Sequence, residues 1–579
     1  MKYYRGFDTE CYINTGELRI IGVEDFGVLY VNSLASFLSL LESLRKLKYN
    51  LFCCYNLDYD IGAIIKLCFP ISKYKQIYLG IRTNHKGIGI KYIAKKKCII
   101  YYRSYRFYFY DTWQFYKTSL KVASKNYLKK EKIDHHIFNL IEGILERNII
   151  KNLRYCYNDS VLCGELFRLV YSKIQDKLEL KEPELLSQGY VSYLYFKKEL
   201  NKVPCPYSYL FENSYLGGRF EVFKRGYFKN AYYYDIASAY PKAITMLKDI
   251  SECQTLINNS YETDSDYSVF LCDIKIDKEL IISPLGIKVN NKVFFPVGNF
   301  KDIYIDKNTF ETVLYYGGKS KINIKLACHL YCKRGYLFKN KVEKLYDLKK
   351  KYPEDSEIYK IALNALYGKL LQKISNYVKK KDQKFAFAIS DSHYDNENKE
   401  LFFKIDKPHQ LRNAIYASFI TSFTRSQIYG DIYKHQDKII AIFTDCIISE
   451  IPLDLPLSDK IGEYKQKIIK DLYIIGSGVY FYKEVNKQKL SFRGFNISNP
   501  KDIIKKLLHS KISKIRFLDK QRVSLGKALS QHNEEYYNLI YNAEKILDLN
   551  FDNKRVWERK IKQGKDLKGI ITSKPLPFL

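Results

Sequence analysis

A multidomain α/β fold is predicted by three observations. The chain of 579 residues has room for roughly three or four domain-sized units. Its opening stretch alternates strand patterns with an amphipathic helix pattern, and its middle carries aromatic, strand-favouring runs such as Tyr232-Tyr233-Tyr234. In order, residues 1–31 read as two or three short strands, 33–47 as an amphipathic helix and 51–54 as a further strand.

The acidic residues of this first part are spaced for chemistry. Asp8 and Glu10, two apart on a strand, share one face, where a divalent cation would relieve their repulsion. Tyr55-Asn56-Leu57-Asp58-Tyr59-Asp60 starts a helix just after a strand, and Tyr155 and Asp159 stand four apart on one helical face. Further on, Tyr232-Tyr233-Tyr234-Asp235 ends a strand at a tight polar turn closed by Pro241, which places Asp235 where a metal and a phosphate chain could be held. Tyr215-Leu216-Gly217-Gly218 precedes it, and its paired glycines allow close backbone approach. Residues up to about 326 stay mostly strand-like. Lys360, Asn364 and Tyr367 then recur at i, i+4 and i+7, one face of a helix. Asp445 follows the apolar run Ala441-Ile442-Phe443, and residues 499–579 read as helical and Lys-rich.

The net charge of +33, from 96 Lys and Arg against 63 Asp and Glu, is spread along the chain and suits a long polyanion in an extended channel. An AT-rich genome, which enriches Lys, Ile, Asn and Tyr, is the other reading of that composition. Thirteen cysteines form no paired framework, which implies a reducing compartment. Cys328-His329-Leu330-Tyr331-Cys332 reads either as a zinc half-site or as buried thiols. No signal peptide or membrane span is evident, since Arg103 and Arg106 interrupt the apolar run at 98–110. A soluble protein of the host cytoplasm, with no membrane partner, is therefore expected.

Taken in order, these stretches resemble the motifs of family B DNA polymerases. Asp8-Thr9-Glu10, Asn56 to Asp60 and Tyr155 to Asp159 are similar to the three motifs of a 3′→5′ proofreading exonuclease; Tyr215 to Gly218 to the Y-x-G-G/A link; Asp235 to Pro241 to motif A; Lys360 to Lys369 to motif B. Ala441 to Ile447 resembles motif C, with Phe443 where the first Asp belongs and Asp445 at the second. The resemblance implies an RNase H-like exonuclease domain followed by a right-hand polymerase of palm, fingers and thumb, with the TPR1 and TPR2 inserts of the protein-primed subgroup. The implied boundaries are exonuclease 1–185, linker and palm 186–285, TPR1-like insert 286–333, fingers 334–373, TPR2-like insert 374–405, palm 406–498 and thumb 499–579.

It also implies roles. Asp8, Glu10, Asp60 and Asp159 would hold two metal ions, Tyr155 would orient the attacking water and Asn56 would contact the terminal nucleotides. Thr112, in Tyr110 to Phe115, would contact single-stranded DNA, although Ser119 to Val122 fits that element equally well. Asp235 and Asp445 would hold two Mg²⁺ or Mn²⁺ ions for nucleotidyl transfer. Lys360 would neutralise the triphosphate, and Asn364 and Tyr367 would shape the base-pair pocket. Tyr240 would stack under the deoxyribose and reject a 2′-hydroxyl. Tyr215, Gly217, Gly218, Tyr480 and Arg493 would hold the DNA strands. The expected function is a monomeric, viral or linear-plasmid DNA-directed DNA polymerase acting on primer-template DNA and dNTPs. Its primer would be the hydroxyl of a separate terminal protein, since no extra domain precedes the exonuclease. An exonuclease with an inactive palm and a non-catalytic DNA-binding or packaging factor are the rival readings.

Overall fold

The computed structural model describes residues 2–12, 14–133, 149–200, 207–289, 292–380, 392–395, 400–408, 412–484, 487–493, 514–548, 556–557 and 573–574. Its first part is built on an eight-stranded sheet. Arg5–Cys11 and Leu51–Cys54 lie parallel at its centre, with Tyr105–Asp111 parallel beside them, and hairpins extend both edges. Leu34–Lys46 supplies the expected amphipathic helix, capped by the Ser33 hydroxyl. Its Phe37, Leu40, Leu41 and Leu44 recur at helical spacing and are buried against the sheet. The long helix Ile149–Lys177 crosses the same sheet and packs on its first two strands. The stretch containing Arg103 and Arg106 folds as a hairpin, Lys97–Tyr102 against Tyr105–Asp111, as the charge interruptions imply. Among the described residues no helix is long and apolar enough to cross a membrane.

The second large sheet is antiparallel and has seven strands, ordered Gln488–Phe492, Val479–Lys483, Tyr464–Gly476, Gly226–Ile236, Cys446–Ser449, Ile439–Phe443 and Phe220–Val222. Tyr232-Tyr233-Tyr234-Asp235 thus lies in a central strand, and Ala239–Thr245 turns into a helix at once, with Pro241 in its first turn. The buried helix Ala414–Ile432 backs this region.

Between the motifs lie two further β-rich pieces. Cys253–Asn258, Tyr267–Ile276, Gly298–Asp306 and Lys321–Cys332 form one four-stranded sheet around its own apolar core. The boundary expected at 286 falls inside this sheet, because residues 267–276 pair with 298–306 and with 321–330. Lys373–Lys380, Ser392–Asp395 and Glu400–Pro408 make a three-stranded sheet in the stretch read as the second insert, of which 381–391 and 396–399 lie outside the described residues.

One expectation is corrected outright. The described part of 499–579 is not mainly helical: Lys514–Arg522 and Ile540–Asp548 form a long antiparallel pair, and only Leu525–Ser530 is α-helix. Residues 499–513, 549–555, 558–572 and 575–579 lie outside the described residues. Lysine content suggested a solvated helix, but burial along 514–520 alternates residue by residue, the period of a strand.

Candidate functional sites

The central pairing of the seven-stranded sheet brings two aspartates together. Asp235 is the register partner of Cys446, so Asp445, one residue earlier in the Thr444-Asp445 turn, sits diagonally beside it, and the Ile236 amide donates to the Asp445 carbonyl at 2.9 Å. Thr444 holds the left-handed conformation at φ 63°, a strained one for a β-branched residue, and its amide is tied to the Arg219 carbonyl at 2.6 Å. Both carboxylates line a cavity of about 490 Å³ together with Ser238, Tyr240, Lys349, Lys360, Asn364, Tyr367 and Lys465. Burial, reinforced by Asp235, pushes Asp445 up to about 6. Burial also raises Asp235, while Lys489, Lys467, Lys465 and Lys360 pull it back. Two half-buried carboxylates facing one basic chamber form a donor set that suits divalent cations and an anionic chain.

The residues of motif B converge on this cavity, though not all from one helix. The helix Ser356–Asn364 ends at Asn364, and Tyr367 lies in the short 3₁₀ turn Tyr367–Lys369. The turn brings the Tyr367 ring to 4.4 Å from that of Tyr240. Lys349, the first of the three adjacent lysines, also enters the cavity and approaches the Ser238 hydroxyl at 3.3 Å. A second, larger cavity of about 540 Å³ shares Lys360, Asn364 and Tyr367, but neither aspartate lines it, so the chemistry belongs to the smaller one.

The Tyr215 to Gly218 segment passes behind the cavity, with Gly218 beside Thr444 and Tyr240. Arg425, from the buried helix behind, donates to the carbonyls of Leu216 and Gly217 at 2.6 and 2.7 Å and lies 4.0 Å from Asp306. Truncating Arg425 to Ala would strip both carbonyls of their donor and leave Asp306 without its nearby cation. A loss of about 3–5 kcal/mol is expected, read as faster hydrogen exchange through residues 216–218. Gly218 is a close approach: a Cβ there would stand 2.7 Å from Thr444 Cγ2 and 2.8 Å from the Tyr240 hydroxyl. Gly218→Ala is therefore expected to displace Tyr240 and lower kcat/KM for dNTP roughly tenfold or more, an overpacking effect of about 1–3 kcal/mol.

Phe443 has become part of an aromatic stack. Its ring lies 4.7 Å from Phe220 and 5.2 Å from Tyr480, nearly parallel to the latter at 13°, and the side chain is 8% exposed. Arg493 stands over Phe220 at 5.4 Å, and its amide donates to the Gly478 carbonyl at 2.9 Å.

In the eight-stranded sheet, three of the four expected acids converge. Asp8 and Glu10 project from Arg5–Cys11 and Asp159 from Ile149–Lys177, with one carboxylate oxygen of each inside a mutual 4.8 Å. Asp60 does not join them at that spacing: it is buried, and the Thr9 hydroxyl donates to it at 2.9 Å. Burial raises all four acids, Glu10 and Asp60 each to about 8, and neighbouring acids add to the shift of Asp8 and Glu10. Asp8 Oδ2 and Asp159 Oδ1 are buried without a hydrogen-bond partner, as expected of atoms shaped to meet a cation. Lys132, which carried no sequence signal, contacts Asp159 at 2.5 Å and lies 4.6 Å from the centre of the Tyr155 ring.

Asn56 is exposed at the helix start, in a left-handed conformation held by Asp111, whose carboxylate accepts from the amides of Asn56, Leu57 and Trp113. Thr112 is not available to DNA. It is fully buried, with its hydroxyl 3.3 Å from Cys163 Sγ, because it follows the central strand directly into the core. The zinc reading of Cys328 to Cys332 also falls: His329 spends one ring nitrogen on the Ser268 hydroxyl and the other on Asn258 and Ser260.

Known proteins resemble this chain in sequence and in fold. Residues 142–413 match the family described as DNA polymerase type B, organellar and viral. The chain is 24% identical over 310 residues to the DNA polymerase of Acidianus bottle-shaped virus, covering 49% of this chain and 40% of that protein. It is 24% identical over 359 residues to a probable DNA polymerase of Ascobolus immersus, covering 56% and 29%. The matched part thus spans well under half of either relative. Among solved structures, Phi29 DNA polymerase with primer-template DNA and incoming nucleotide superposes with a TM-score of 0.63 at 14% identity, over 95% of this chain and all of that one. Its post-translocation complex with primer-template DNA gives 0.66 at 15% identity, over 94% and 100%. The fold is shared across nearly the whole chain.

Proposed function

We propose that the chain, whose residues 142–413 match the organellar and viral type B DNA polymerases, extends a primer on a DNA template from dNTPs and removes mispaired 3′ ends with its exonuclease part. The observation that carries this reading is the meeting of Asp235 and Asp445 at one basic cavity. Mg²⁺ or Mn²⁺ held by these two side chains would supply Lewis-acid activation of the primer hydroxyl and neutralise charge on the triphosphate.

The chain's own groups do the rest. Lys349, Lys360 and Lys465 bind and orient the triphosphate as compact charges. Tyr240 and Tyr367, ring against ring, form the floor under the sugar and the nascent base pair, and Tyr240 excludes a 2′-hydroxyl. Asn364 borders the same pocket. Tyr480, stacked on Phe443, and the exposed Arg493 hold the primer strand, while Tyr215 and the backbone at Gly217 and Gly218 hold the template. In the exonuclease part Asp8, Glu10 and Asp159 are the metal-holding set, with Asp60 behind Thr9 as a supporting acid. Tyr155 and Lys132 position the attacking water, and Asn56 meets the frayed terminus.

The two β-rich pieces, 253–332 and 373–408, favour the protein-primed subgroup. The first primer would then be a hydroxyl of a separate terminal protein, and the enzyme would act as a monomer in replicating a viral or plasmid genome. Incubation of the protein with a primed single-stranded template, Mg²⁺ and dNTPs tests the reading. Net lengthening of the primer is expected, with shortening when dNTPs are withheld; shortening alone in the presence of dNTPs would leave only the exonuclease.

A further inference from the structure

The four-stranded sheet between the motif A helix and the helix Lys339–Lys351 begins and ends on cysteine. Cys253 is the first residue of its first strand and Cys332 the last residue of its last, and the two are direct antiparallel partners. No other two cysteines among the described residues are cross-strand partners.

The hydrogen bonds fix what kind of pair this is. The Lys333 amide donates to the Glu252 carbonyl at 3.0 Å, which makes 252 and 333 a hydrogen-bonded pair. The Cys332 amide turns away and donates to the Asp266 carboxylate at 2.6 Å. Since the two kinds of pair alternate, 253 and 332 form a non-hydrogen-bonded pair. There the Cα atoms lie about 4.5 Å apart with side chains on one face, inside the window of about 4.4–6.8 Å that a disulfide needs. Both thiols are free and half-buried, whereas Cys53, Cys163 and Cys272 are sealed in cores.

We propose that Cys253 and Cys332 are a redox-responsive staple at the neck of this sheet, closed by exchange with a low-molecular-weight disulfide such as oxidised glutathione. The Cys253 thiolate attacks one sulfur of the glutathione disulfide, giving a protein–glutathione mixed disulfide and releasing the first glutathione thiolate. The Cys332 thiolate then attacks the Cys253 sulfur, forming the intramolecular bond and releasing the second. The protein gives up two electrons and two protons, and one glutathione disulfide becomes two glutathione thiols. Burial raises both thiols, but Asp266 and Cys253 add to the shift of Cys332 and push it up to about 12, so Cys253 is the attacking thiol and Cys332 the resolving one. Closure would pin the entry of the chain into the sheet, just after the motif A helix, to its exit, just before the helix that carries Lys349.

The intact protein, equilibrated in glutathione buffers of rising oxidised fraction, then alkylated, digested and mapped by mass spectrometry, tests this. Two of the thirteen thiols should be lost together, with a linked peptide joining Cys253 to Cys332 and a rise in thermal midpoint of at least about 2 °C. In Cys253→Ser the rise should vanish. Both thiols still alkylatable at saturating oxidised glutathione, Cys332 linked instead to Cys328, or a rise that persists in Cys253→Ser would each overturn the proposal.

Discussion

Alanine in place of Asp235 or Asp445 is expected to lower primer extension by about 10³-fold or more, the rate equivalent of the several kcal/mol that metal-assisted charge stabilisation supplies. Both changes should leave primer degradation intact, because Asp8 and Glu10 stand on a different sheet and Asp159 on the helix packed against it. Timed extension of a labelled primer, with degradation followed in the absence of dNTPs, separates the two activities; synthesis that survives both changes would remove these aspartates from the site. The same assay addresses the altered motif C. Phe443→Asp restores the residue of the family pattern, yet it is expected to impair synthesis. It would replace a ring packed between Phe220 and Tyr480 with a poorly solvated carboxylate close to Asp445 and Asp235, where burial already pushes Asp445 up to about 6. A gain in activity would show that a third carboxylate is tolerated there.

The acids gathered at the eight-stranded sheet give the second large effect. Glu10 is raised from 4.5 to about 8 and Asp60 from 3.8 to about 8. Between about pH 4 and pH 8 the folded chain therefore binds more protons than the unfolded chain, and stability falls as pH rises through that window. Metal-free protein is expected to melt lower at pH 8.5 than at pH 5, with each kcal/mol appearing as roughly 2–4 °C. Mg²⁺ or Mn²⁺ should flatten the dependence. Glu10→Gln should raise the metal-free midpoint at pH 8.5 while reducing exonuclease activity about 10³-fold or more. A midpoint indifferent to both pH and metal would mean that the convergent carboxylates hold no cation.

What could be read in advance was local. Asp8 and Glu10 alternate on one strand, Asp159 follows Tyr155 by one helical turn and Asp235 ends an aromatic strand, so period and turn chemistry gave their local positions, and the family resemblance their roles. The contributors that arrive from distant chain had no such signal. Lys132 reaches Asp159 from outside any motif, Lys465 is the register partner of Asp235 from a strand far downstream, and Arg425 secures Leu216 and Gly217 across 209 and 208 residues. Asp60 and Thr112 show the converse, since motif spacing gave their position in the chain but not the side to which each is turned in the core. The C-terminal strands were missed because lysine content was weighed above the alternation of Ile515 and Phe517 with Lys514 and Arg516.

The segment joining those two strands does not stay with its own hairpin. Val523, Leu525, Ala528 and Tyr537 are buried in the core of the eight-stranded sheet, Arg522 donates to the Asp58 carbonyl across 464 residues, and Lys66 reaches the Glu535 and Tyr537 carbonyls. An earlier part of the chain is thus completed by one that follows it by some 464 residues. At synthesis rates of about 5–20 residues per second, the earlier sheet waits roughly twenty seconds to a minute and a half with that apolar seat uncovered. Its final closure is consequently a late event in the folding of the molecule, one that couples completion of the eight-stranded sheet to arrival of residues 523–537.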